Sequence, residues 1–274
     1  MERIKSLREE FPTIIDRAYA QYMKRHFVGE IMSKEVVTIN PDATMLEVAK
    51  IMGAKRIGSL IVETEDEFVG IITERDLLSK VLAKNKNPEM VRVKDVMSSP
   101  LIAIGSKATI KEAAQTMISK KGRLAVLRDR QLVGVITASD LIKSLPDSAE
   151  TSMKIDDVMT KNIITAHSNT PVEEIAKLMG EERIGSVIIT KGGKPFGIFT
   201  ERDLLTTFLA RGKSLKTRVG TVASHPLITI PLGASIHQTA LTMALKHIRR
   251  LPIVKNGKIV GIVTARDLVE AYSK

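Results

Sequence analysis

Apolar triplets and helically spaced apolar residues follow one another along the chain in a fixed order. Near the start, Glu35-Val-Val-Thr-Ile39 predicts a strand, and Asn40-Pro41-Asp42-Ala43 reads as a turn. Thr44-Met-Leu-Glu47 has the form of a capping box and opens a predicted helix through about Met52. Ser59–Val62 and Phe68–Thr73 are two further strands, separated by a polar loop. Beyond Thr73 the apolar positions Leu77, Leu78, Val81 and Leu82 return to helical spacing, so a second helix is expected to about Ala83. The order is β-α-β-β-α.

That order repeats. Gly70-Ile-Ile-Thr-Glu-Arg-Asp76 returns at Gly134, Gly197 and Gly261, at intervals of 64, 63 and 64 residues. Thr109/Glu112, Thr170/Glu173 and Ser235/Gln238 stand where Thr44/Glu47 stands and predict the same helix start. A period this regular means one supersecondary unit used four times. A second order lies above it. Arg56–Val62 matches Arg183–Ile189, and Pro100–Ile104 matches Pro226–Ile230, at offsets of 127 and 126 residues, so a pair of repeats is itself doubled. The turn-rich stretch Ser144–Thr151 marks the expected boundary between the halves.

Each repeat ends its last strand on Thr-x-x-Asp. Read structurally, this is a helix cap in which the acid reaches back to the Thr N–H. Read functionally, the same turn puts a carboxylate where a ribose diol can bind and a helix start where an anion can sit. Arg75, Arg202 and Arg266 inside the turns then have a phosphate to face. The motif alone fits both readings.

Composition narrows the classes. No run approaches the 18 or so apolar residues of a membrane span, and the N-terminal stretch has no apolar signal core, so a cytoplasmic location is expected. With no cysteine there is no disulfide or thiolate chemistry. The net charge of +11 and pI near 9.7 favour anionic partners, whether phosphate ligands, nucleic acid or an acidic surface. Six Phe, three Tyr and no Trp leave few platforms for stacking bases, which counts against single-strand binding. No nucleophile elbow, P-loop or H-E-x-x-H occurs, so no enzyme is expected and no metal. His167, His225 and His237 are expected on loops or helix surfaces, whereas His247 has basic neighbours. Residues 1–28 carry an apolar stripe through Ile4, Leu7, Phe11, Ile15, Ala18, Tyr19 and Tyr22, interrupted at Pro12. They read as a helical segment, packed on the first repeat or meeting a partner.

The β-α-β-β-α unit resembles the cystathionine-β-synthase (CBS) domain, whose start motif Asp-Val-Met has counterparts in Glu30-Ile-Met32, Asp95-Val-Met97, Asp157-Val-Met159 and, degraded, Thr221-Val-Ala223. The resemblance implies an α+β fold with CBS domains at 29–84, 92–145, 153–212 and 217–274. These would pair into two Bateman modules, disc-like as in the gamma subunit of AMP-activated protein kinase. It implies ribose and phosphate contacts at Thr73, Asp76, Thr137, Asp140, Thr200, Asp203, Thr264 and Asp267. Phosphate would be met by Arg75, Arg123, Arg202, His247, Arg249, Arg250 and Arg266, with Gly58 and Gly185 replacing the basic residue in repeats one and three. Thr38, Thr165 and Thr229 would line the cleft from the first strand, Ala103 being the departure, and Ile39, Ile61, Ile188 and Ile253 would flank adenine. The ligand implied is AMP, ADP, ATP or S-adenosylmethionine, sensed on behalf of a protein partner, with a homodimer a further expectation. A nucleic-acid-binding protein using its basic surface is the competing reading.

Overall fold

The structure is a computed structural model and describes residues 21–120, 122–144 and 153–273. The N-terminal stripe up to Ala20 and most of the expected boundary between halves, 145–151, lie outside the described residues. Four three-stranded sheets are present, each with its strands in chain order. They are β1 Thr38–Ile39, β2 Ser59–Glu63 and β3 Phe68–Thr73; then β4 Ala103–Gly105, β5 Leu124–Arg128 and β6 Gln131–Ile136. The third is β7 Thr165–His167, β8 Ser186–Lys191 and β9 Lys194–Thr200, and the fourth β10 Ile230–Pro231, β11 Arg250–Lys255 and β12 Lys258–Thr264. In each, the first two strands pair parallel and the last two antiparallel, with a bulge one step beyond the motif glycine's partner. The parallel pair needs a helical crossover. The helices Met45–Lys55 (α2), Ile110–Ser119 (α4), Val172–Glu181 (α6) and Ile236–Leu245 (α8) supply it, after a short first helix Val28–Ile31 (α1).

The crossover helices start as the sequence predicts in two repeats. Thr44 N donates to Glu47 Oε2 at 2.7 Å while Glu47 N donates to Thr44 Oγ1, and Thr109/Glu112 do the same. In repeat four Ser235 Oγ accepts from Gln238 N. Repeat three departs: the N-cap is Pro171, and the expected Thr170/Glu173 box does not form. Thr170 sits one residue too early and instead closes a turn onto the His167 carbonyl. The first strand is also shorter than predicted, two residues rather than five, and α2 runs to Lys55 rather than Met52.

The helices after the third strands differ between repeats. In repeats two and four they are α-helical, Ala138–Lys143 (α5) and Ala265–Ser273 (α9). In repeats one and three a single α-turn, Glu74–Asp76 (α3) or Glu201–Asp203 (α7), widens into π-helix over Leu77–Val81 or Leu204–Leu209. Spacing of apolar positions does not distinguish these turns, since Leu77, Leu78 and Val81 are buried either way.

Two compact units form, and neither is a continuous stretch of chain. The first joins repeats two and four with Met1–Glu35; the second joins repeats one and three, as Val36–Leu101 with Ile163–Ile228. In the first, α9 packs on α4 and α5, and α8 on α5, around one core containing Ile110, Leu124, Ile136, Ile236, Leu251 and Val263. In the second, α2 packs on Leu204–Leu209, and α6 on Leu77–Val81 and the turn Leu82–Lys84. The start-motif segments are exchanged. Ser33, which leads into repeat one, bonds Val135 of repeat two in both directions at 3.0 Å, and Ser98, which leads into repeat two, bonds Ile71 of repeat one. Thr160 with Ile262 and Ser224 with Ile198 repeat the arrangement. This explains the motif glycine. A Cβ on Gly70 or Gly197 would stand 2.7 Å from the carbonyl oxygen of Ser98 or Ser224. One on Gly134 or Gly261 would stand 2.5 or 2.6 Å from the sulfur of Met32 or Met159.

Candidate functional site

All four Thr-x-x-Asp turns adopt one geometry. The Asp Oδ2 accepts from the Thr backbone N–H at 3.0 Å (Thr73/Asp76), 2.8 Å (Thr137/Asp140), 2.8 Å (Thr200/Asp203) and 2.7 Å (Thr264/Asp267), and each Thr hydroxyl donates to the same oxygen. The capping reading is therefore realised in full. It occupies one carboxylate oxygen and fixes where the other points.

The second oxygen meets different surroundings in each repeat. Asp76 is buried, and its Oδ1 lies 2.7 Å from Lys80 Nζ, which also donates to the Val96 carbonyl at 2.6 Å. Lys80 was not singled out from the sequence, although its i,i+4 spacing from an acid was the available signal. Asp140 Oδ1 accepts from Ser33 Oγ at 3.3 Å, a contact made by the exchanged segment. Around Asp267 burial raises the carboxyl pKa above its usual value, against the lowering effect of the Thr264 bonds.

The basic residues divide by unit. Arg250 opens β11 directly opposite Thr264, and the Arg249 carbonyl accepts from Ala265 N at the start of α9. Arg123 immediately precedes β5, at the matching place. His247 follows α8, exposed and in the left-handed region at φ 53°. Repeats one and three have Ser59 and Ser186 opposite Thr73 and Thr200. There, Arg75 and Arg202 are held by carboxylates: Arg75 Nε lies 3.1 Å from Glu201 Oε1 and Arg202 Nε 3.2 Å from Glu74 Oε1. Both glutamates are buried. The two arginines expected to meet phosphate are thus each engaged by an acid of the opposite repeat. Arg266 Nη2 donates to the Ile118 carbonyl at 3.3 Å.

Strand register corrects two of the adenine positions. Thr38 pairs with Ile61 and Thr165 with Ile188, on the face of the sheet away from the hydrophobic core. Ile39 pairs with Val62 and lies inside that core. Ile253 pairs with the motif glycine Gly261, as Val62 does with Gly70, and is likewise a core residue with no exposure. The residue equivalent to Ile61 and Ile188 is Pro252; a shift of one position moves a side chain to the opposite face. Thr229 falls just before β10 rather than in it. His237 is buried on α8, not on a surface as expected, while His167 and His225 are exposed. Among the described residues no cluster of His, Asp or Glu is arranged to hold a metal, and no helix is long and apolar enough to cross a membrane.

The chain resembles known proteins along most of its length. An uncharacterized protein of Methanopyrus kandleri, MK0525, is 38% identical over 127 residues, 45% of this chain and 65% of that one. MJ1404 of Methanocaldococcus jannaschii is 28% identical across 89% of this chain and 61% of its own length, so the chain spans under two thirds of both relatives. The crystal structure of MJ1225 from the same organism superposes with a TM-score of 0.75 at 24% identity, covering 90% of this chain and all of that one. The CBS domain model matches residues 28–83, 93–147, 155–210 and 219–274. Four matches with the same sheet, helical crossover and Thr-Asp turn in each place the chain in the CBS domain family.

Proposed function

We propose that the protein is a non-catalytic regulator that binds adenine nucleotides at its Thr-Asp turns and passes occupancy to a protein partner. The observation that carries this reading is the fourfold recurrence of an aspartate whose Oδ2 is held by the cap, which fixes the direction of a carboxylate able to accept from sugar hydroxyls. The turn of repeat four has the most suitable surroundings for a phosphate, because Arg250 stands opposite Thr264 with Arg249 and His247 close by in sequence. MJ1225, which shares the fold, has been proposed as an archaeal homologue of the gamma subunit of AMP-activated protein kinase. A ligand that favours one of two arrangements of such repeats shifts their equilibrium by its differential affinity alone.

The test is a thermal-shift panel with AMP, ADP, ATP, S-adenosylmethionine and a dinucleotide. A ligand at about 100 times its Kd adds about 2.7 kcal/mol. Asp267→Ala should then weaken binding by about 1.5–3 kcal/mol, the worth of a charged hydrogen bond. A lowered Tm with unchanged affinity would leave the acid as a cap and nothing more. Affinity falling steeply with salt and shared by duplex nucleic acid would favour the basic-surface reading instead.

A further inference from the structure

We propose that Lys80 holds the first of the four Thr-Asp turns shut, its ammonium standing where the ribose of a nucleotide would bind, and that replacing this lysine opens the turn. The inference rests on the nucleotide reading for the class of ligand, and on the contacts of Asp76 for the closure.

Both oxygens of Asp76 are engaged. Its Oδ2 accepts from the Thr73 N–H and hydroxyl, as the acid does in every repeat. Its Oδ1 lies 2.7 Å from Lys80 Nζ, and the Asp76 side chain is only 9% exposed. Lys80 Nζ also donates to the Val96 carbonyl at 2.6 Å. Val96 lies on the start-motif segment that bonds β3 through Ser98 and Ile71. The ammonium is therefore fixed from two sides, by the acid and by the backbone that crosses beside it. A ribose that took Oδ1 would exchange a charge-assisted bond for neutral ones of about half the strength. It would also strip a buried carboxylate of its counter-charge, which is the costly way to break such a pair.

Lys80 is particular to repeat one. Four positions beyond the acid, the other repeats have Ser144, Thr207 and Ala271. Each is short and uncharged. The contrast is sharpest with repeat three, because the two turns are otherwise alike. Both read Thr-Glu-Arg-Asp-Leu-Leu, and both continue as π-helix, over Leu77–Val81 and Leu204–Leu209. On this assignment the turns left for a nucleotide are those of Asp140, Asp203 and Asp267, and the first serves as a clasp between β3, the helix after it and the start-motif segment.

The test counts bound nucleotide per chain. Equilibrium dialysis with AMP, and separately with ATP, compares the full-length wild type with K80T, which copies Thr207. K80T should bind one nucleotide more than the wild type. K80R keeps a cation beside the acid and should match the wild type, and D76A/K80T should lose the added nucleotide. If K80T does not fold, K80S and K80A, which copy Ser144 and Ala271, supply the same count. Equal counts in the wild type and the opened variant overturn the closure. A lower count overturns it as well, by making Lys80 a ligand. A gain that survives in D76A/K80T puts the new site elsewhere, and a gain in K80R denies the cation its role; either result also overturns the proposal. The wild-type count alone judges the nucleotide reading. A wild type that binds none beside a K80T that binds one would keep the closure and refute that reading for the other three turns.

Discussion

At the scale of single residues, the acid of each turn answers to both its cap and its burial. Asp267 shows the competition openly, since desolvation raises its pKa while the Thr264 bonds pull it down. With the folded pKa above the unfolded one, the group's contribution to stability is present below the ordinary carboxylate range and is lost as pH rises through the folded pKa. Asp267→Asn keeps an acceptor for Thr264 N–H and removes the charge. Its stability should therefore improve relative to wild type as pH is raised from about 3 to about 7, which paired denaturant titrations at each pH measure. A difference that falls with pH would mean that the bonds outweigh the burial. The sequence made the four Thr-Asp pairs plain, because a cap is a local interaction written in spacing. It did not disclose Ser33 on Asp140 or the core position of Ile253, since these depend on a partner 107 residues away or on register across a sheet; Lys80 on Asp76 was within reach of spacing alone, at i,i+4.

At the scale of elements, the glycines inside helices carry information that propensity would misread. Gly53 and Gly180 lie within α2 and α6, where replacement by alanine ordinarily gains about 1 kcal/mol. Here the new methyl meets the Cβ of Ala210 or Ala83, an atom with no rotamer to escape into. Overpacking costs about 1–3 kcal/mol, so Gly53→Ala should be destabilising overall, and adding Ala210→Gly should restore most of the loss. Chemical denaturation of the two single variants and the pair gives the coupling directly; simple additivity would place the helices farther apart. Strand and helix order was legible throughout because hydrophobic period is local. The π-turns were not, because they lie where α2 and α6 pack against the opposite repeat, and the cap at Pro171 was not, because Thr170 keeps the spacing of a capping box while standing one residue too early to form it.

At the scale of the whole molecule, sequence doubling and spatial pairing cut the chain differently. The 127-residue offset divides it near Ser144–Thr151, yet each compact unit takes one repeat from each half and borrows a start-motif segment as well. A chain ended at Ser144 therefore keeps repeats one and two but loses the partner of each. Leu78 and Leu82, which fill the core of repeat three, would be uncovered, along with the Glu74 and Arg75 pair that repeat three neutralises. Burying a leucine is worth about 1.5–3 kcal/mol, so leaving two bare together with a charged rim is a large fraction of a domain's stability. Such a fragment should fold only as a dimer, with a Tm that climbs with protein concentration, because association and folding are then one equilibrium. Sedimentation and calorimetry over a hundredfold range of concentration decide it. A folded monomer with a constant Tm would mean that each half holds its own core, and that the exchange of leucines between repeats one and three contributes little to keeping either of them folded.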